Sequence, residues 1–208
     1  MSTIKISQLP LGTPTGGNIF PFVQSGVTKQ GYISGITGSA GVIIEGAGLN
    51  SSVRCGVNNT ATGDYSASLA GRCNISCDYV STVAGGQSNT ASCYGTTVSG
   101  GYGNTASNGY STVSGGLNNT SSGYASFVGG GIFNTSKADY STVSGGQNNT
   151  SSGDLSFIGG GFRNTSGDQY STTSGGYCNL SNCVGSTVSG GRQNTSIGGN
   201  INPTAAGD

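Results

Sequence analysis

Ser111-Thr112-Val113-Ser114-Gly115-Gly116, followed after two residues by Asn119-Thr120-Ser121-Ser122-Gly123, decides the fold of this chain because its pattern returns every fifteen residues. The asparagine marks the period without a slip: Asn59, Asn74, Asn89, Asn104, Asn119, Asn134, Asn149, Asn164, Asn179 and Asn194. A globular fold has no reason to hold one spacing through ten units with no insertion. A solenoid does, because each unit is one coil stacked on the last and any insertion must bulge outward.

With the asparagine at position 0 and the coil numbered to position 14, the chemistry of each position can be read. Position 7 is always Ser or Thr, from Ser66 to Ser186. Position 9 is mostly β-branched: Val83, Val98, Val113, Val128, Val143, Ile158, Thr173 and Val188. Position 12 is Gly from Gly71 through Gly191. This predicts a strand of about five residues with alternating faces, ending at a Gly-Gly corner where positive φ costs least. A shorter strand around the Asn-Thr-Ala-Ser segment then closes at a small residue such as Gly63, Gly123 or Gly153. The fold class is therefore all-β, a parallel β-roll or β-solenoid with two short strands per coil. At about 4.8 Å per coil, ten coils make a rod of roughly 48 Å.

The column of asparagines is expected to be structural, its amides bonding from coil to coil at a buried corner. Val83, Val98, Val113, Val128, Val143, Ile158 and Val188 are expected to fill the thin interior. Positions 8 and 10 carry Thr and Ser in most coils, but Phe127 with Gly129 and Phe157 with Gly159 in two. A large side chain gained beside one lost suggests volume compensation, although duplication of a two-coil ancestor explains the pattern equally. Position 6 alternates likewise, with Tyr110, Tyr140 and Tyr170. One Val per coil is a lean core, so the rod is expected to pack as a parallel homotrimer, with Phe127, Phe157, Tyr110, Tyr140 and Tyr170 as inter-chain contacts.

Composition supports an architecture without a conventional core. Only 32% of residues are apolar, 41 are Gly, and there is no Trp. Charged residues are 7% of the chain and balance, which removes the basic footprint of a nucleic-acid partner. No stretch approaches the roughly 18 apolar residues that span a bilayer, so no membrane insertion is expected. The opening Met1-Ser2-Thr3-Ile4-Lys5 lacks the charged and apolar regions of a secretory signal. By texture the chain divides into an N-terminal attachment segment (1–42), a β-roll (43–198) and a C-terminal tail (199–208). The first is β-rich and Pro-containing, with Ile4-Lys5-Ile6, Asn18 to Val23 and Gly26 to Ser34 reading as extended pieces. About 40 residues rarely bury enough surface alone, so it is expected to order against a partner.

The Ser-Thr-Val-Ser-Gly-Gly and Asn-Thr-Ser-Ser-Gly segments resemble the repeats of trimeric autotransporter adhesin heads, the YadA-like left-handed parallel β-roll. The wording is closer still to repeats in bacteriophage and large-virus fibre proteins. Ile6-Ser7-Gln8-Leu9-Pro10, Gly12 to Gly16 and Pro21 to Lys29 are similar to an N-terminal segment of such fibres. The resemblance implies a left-handed, trimeric tail or capsid fibre that is mounted on a virion through residues 1–42 and attaches to a host-surface glycan or protein. Exposed aromatics at the turns, Tyr102, Tyr177, Phe133 and Phe162, are then candidate receptor contacts, with capping of neighbouring coils as the alternative. A non-viral surface adhesin is the second reading and an ice-binding β-solenoid a distant third.

Catalytic and cofactor chemistry is not expected. The chain has no histidine, no Ca²⁺-binding nonapeptide and no phosphate-cradling loop. The aspartates at 64, 78, 139, 154 and 168 fall at turn positions and read as solvated charges. Of the six cysteines (Cys55, Cys73, Cys77, Cys93, Cys178 and Cys183), Cys77 and Cys93 lie on adjacent coils. A bridge between them and free thiols in Ser-sized places both remain open at this point.

Overall fold

The computed structural model describes residues 43–54 and 58–197, together with the short strands Phe22–Gln24, Val27–Lys29 and Thr204–Ala205. The chain divides into two compact units, Met1–Ala40 and Gly41–Asp208. In the first unit Phe22–Gln24 pairs antiparallel with Val27–Lys29, Phe22 opposite Lys29. The other extended pieces expected in residues 1–42 lie outside the described residues.

The second unit is an all-β parallel solenoid of fifteen-residue coils. One sheet has 12 strands and carries position 9; the other has 10 and carries positions 1 and 2. Thr97 lies beside Thr112 in the first, and Thr105 beside Thr120 in the second. Strands of only two residues hold this register because β-branched Thr and Val suit a pleated surface and every coil repeats them.

Three features depart from the expected coil. A third parallel ladder runs along position 13 as single bridges, from Arg72 beside Gln87 to Tyr177 beside Arg192. The corner after the Gly-Gly pair is therefore a third hydrogen-bonded line, where a plain turn was expected. At the start, Ile43–Glu45 pairs antiparallel with Ser52–Arg54 and covers the edge of the larger sheet. At the other end, Thr204 sits beside Thr187, two residues beyond the fifteen-residue spacing. The expected tail thus contributes the last strand of the rod.

Backbone hydrogen bonds account for the shape of the coil. At positions 1 and 8 the strand N–H donates forward to the next coil, as from Thr112 to the Ser126 carbonyl (3.0 Å) and from Thr105 to that of Asn119 (2.9 Å). Positions 6 and 14 adopt left-handed backbone, as at Tyr110 (φ 58°) and Asn118 (φ 52°). That conformation turns the N–H to the preceding coil: Tyr110 donates to Tyr94 (2.9 Å) and Asn118 to Tyr102 (2.8 Å). These bonds offset part of the cost of left-handed backbone at bulky residues.

The interior is narrower and more polar than a valine core. Val83, Val98, Val113, Val128, Val143, Ile158 and Val188 are all fully buried. Opposite them, position 2 supplies Ala91, Ala106, Ser121, Ser136, Ser151, Ser166 and Ser181, also fully buried. Position 7 closes the third side with Ser111, Ser141 and their equivalents. Small hydrogen-bonded polar residues thus complete the interior that the valines begin.

Candidate interaction surfaces

The asparagine column lies in the corner between the Gly-Gly turn and the smaller sheet. Asn74 through Asn179 are buried, while Asn59 and Asn194 at the ends are half-exposed. The side-chain oxygen of Asn104 accepts the backbone N–H of Asn119 (2.9 Å). The Asn119 Nδ2 donates to the carbonyls of Gly115 and Gly131, both at 2.9 Å. The same three bonds recur at Asn134, Asn149 and Asn164. An amide-to-amide bond occurs only from Asn89 to Asn74 (3.2 Å) among the described residues. The column therefore joins coil to coil mainly through bonds between side-chain amide and backbone. Each amide stands in for a missing backbone acceptor and two missing donors, which is chemistry that only Asn or Gln supplies.

Position 7 performs a second satisfying role that the sequence reading left without a function. Ser126 Oγ accepts from the Gly123 N–H (3.1 Å) and sits 2.8 Å from the Gly123 carbonyl, clamping the turn at position 4. It also pairs with Ser121 Oγ across the interior (2.6 Å). Ser136 with Ser141 repeats the pair, as do Ser181 with Ser186. One coil breaks it. Ser166 Oγ turns to the hydroxyl of Thr173 (3.1 Å), which replaces Val at position 9, and Ser171 Oγ is left the one buried side-chain atom without a partner among the described residues.

The outward positions form two flat faces and two edges. Phe127 and Phe157 sit on the face of the larger sheet, 37% and 39% exposed. A methyl built on Gly129 would lie 3.3 Å from the Phe127 ring, and one on Gly159 3.5 Å from the Phe157 ring. The ring-over-glycine packing is thus internal to each strand.

The edge at positions 4 to 6 carries a ladder of six tyrosines: Tyr65, Tyr79, Tyr94, Tyr110, Tyr124 and Tyr140. Successive ring centroids lie 5.2–5.7 Å apart. Tyr110 and Tyr140 were singled out from sequence, while Tyr65, Tyr79, Tyr94 and Tyr124 were missed. Rings at position 5 of one coil and position 6 of the next fall into one column, and a strict fifteen-residue count hides that. Tyr170 lies beyond Leu155, outside this run of ring contacts. The hydrogen bond with Tyr94 raises the Tyr110 phenol above the ordinary tyrosine range, with desolvation adding to it.

The opposite edge, positions 13 and 14, is a second apolar line. Tyr102, Phe133 and Tyr177 are exposed, and Phe162 stacks on Tyr177 at 5.4 Å. Arg163 lies over the Phe162 ring at 5.0 Å and Arg192 over Tyr177 at 5.3 Å. These rings therefore also cap one another between coils, while their outer edges stay open to a partner.

Cys73, Cys77, Cys93 and Cys178 are free thiols; Cys77 and Cys93 are not bridged. Burial, and then the Asp78 charge, push the Cys77 thiol up. Among the described residues no group of three or more His, Cys, Asp or Glu is placed to hold a metal ion, and no helix is long and apolar enough to cross a membrane. No protein-family model matches this chain, and no curated protein matches it.

Proposed function

We propose that the chain is a structural fibre subunit of a virion, mounted on a tail or capsid through residues 1–42 and acting in host-surface attachment as a parallel homotrimer. The observation that carries this reading is the unbroken coil-to-coil register from Ser52 to Val188. Such a lattice makes a stiff arm with the same outward side chains repeated at each step. Weak sites repeated in that way bind a surface by avidity, with no single deep pocket needed. The resemblance of residues 6–29 to the N-terminal segment of virus fibres supports the mount and favours a virion over a cell surface.

Immunogold electron microscopy with antibodies raised against residues 43–198 tests it. Gold on projections of particles purified from the source culture is the expected result. Gold on cell surfaces in a particle-free culture would replace the viral reading with that of a cellular adhesin.

A further inference from the structure

The aspartates of the described coils and three of the arginines fall on different edges, while Lys137 at position 3 lies beside the acids. All five aspartates of the described coils, Asp64, Asp78, Asp139, Asp154 and Asp168, lie at positions 4 and 5, beside the tyrosine ladder. Their carboxylates accept backbone N–H groups of the same edge, as Asp139 does from Tyr124 (2.8 Å) and Asp154 from Asp139 (3.3 Å). Arg72, Arg163 and Arg192 lie at positions 13 and 14 of the opposite edge, all exposed. The acids and the arginines are held apart by the width of the coil.

We propose that these two edges are the two halves of one interface, the acidic tyrosine edge of one copy packing against the basic aromatic edge of the next. Charge complementarity commits the surface to a second copy of this chain. The axial order fits parallel copies in register. Arg72 falls between Asp64 and Asp78 along the chain, and Arg163 between Asp154 and Asp168. A coil rises only about 4.8 Å, so Arg72 and Arg163 each reach two carboxylates of the neighbour. In the same register Arg72 also meets the tyrosine column between Tyr65 and Tyr79, a cation–π arrangement that the rod already uses at Phe162 and Tyr177. A two-fold pairing of the acidic edge with itself would set Asp64 and Asp78 against Asp154 and Asp168, and the repulsion disfavours it. An interface of two unlike edges is heterologous, and it closes as a ring of three when each copy is turned by a third of a circle from the last. The inference deepens the homotrimer of the proposed fibre and rests on that reading for the number three.

Light scattering and hydroxyl-radical footprinting on the full-length chain test the edge pairing. The natural chain is expected to have a trimeric mass with Tyr110 and Tyr177 both protected. Reversing the basic edge (R72D with R163D) or the acidic edge (D64R with D154R) is expected to weaken association at least tenfold and expose both tyrosines together. The chain carrying all four substitutions is expected to regain both mass and protection, which separates lost complementarity from misfolding. Footprinting keeps its meaning where residues 1–42 hold the copies together. A monomeric natural chain, tyrosines that react as freely as in unfolded protein, or a reversal that exposes only its own edge would each overturn the pairing. Failure to decorate particles would sink the viral reading and leave this interface standing.

Discussion

Adjacent glycines with the same sequence signature play unequal parts. Gly146 has φ 85°, and a methyl there would lie 2.6 Å from Asn149 Nδ2 and run into the Gly161 carbonyl. Gly145 has open space where its Cβ would be. Gly146→Ala is therefore expected to cost more than about 2 kcal/mol, through left-handed strain and the displaced amide. Gly145→Ala should be neutral or stabilising by about 0.5 kcal/mol, because it restricts only the unfolded chain. Urea midpoints of the two variants make the comparison. Thr173 poses the opposite case, a polar residue in a valine place that draws Ser166 from its usual partner and orphans Ser171. Thr173→Val should restore the Ser166–Ser171 pair and raise stability by about 1 kcal/mol, read from the thermal midpoint. An unchanged or lower midpoint would show that the hydroxyl of Thr173 contributes more than it disrupts.

The columns that run along the rod are its true elements, since no strand among the described residues exceeds three residues. In the asparagine column, Asn119→Ala strips an acceptor from the buried N–H of Asn134 and a donor from the Gly115 carbonyl. A loss of about 3 kcal/mol is expected from these unsatisfied groups, measured by chemical denaturation. A loss under about 1 kcal/mol would mean that water enters the corner and that the ladder is not what closes it. The tyrosine column answers to pH. The neutral phenol of Tyr110 is the form that its bond with Tyr94 holds, so that contact persists through the ordinary tyrosine range and is lost as pH rises through the raised value. In a phenolate absorbance titration, Tyr110→Phe should remove a step that lies above the ordinary tyrosine range. The columns were only partly legible from sequence. Asn and Val keep one position in every coil and declare themselves, while the tyrosines hop between two positions and meet only because neighbouring turns overlay them.

The whole rod behaves as a one-dimensional array in which each coil touches its neighbours alone. Deleting residues 119–133, one complete coil, joins Asn118 to Asn134 and leaves every position in phase. Such a chain is expected to fold with a melting temperature within a few degrees of the parent. Removing one residue fewer sets every later side chain on the wrong face and should abolish the cooperative melt. Circular dichroism distinguishes the two. Equal tolerance of both deletions would contradict the register on which the solenoid depends.

Period, fold class and the identity of the buried valines and asparagines follow from the sequence alone, because a spacing held through ten coils admits only stacked turns. The partners of those asparagines, the third ladder at position 13, the orphan at Ser171 and the strand at Thr204–Ala205 were decided by tertiary structure. Hydrogen bonds between coils join residues far apart in sequence through a backbone whose direction changes at left-handed corners. Those corners fall on Tyr, Arg and Phe as well as on Asn and Gly, so residue type does not announce them. The sorting of acids and arginines to opposite edges likewise became visible only when the coil was closed and its two turns stood at opposite ends.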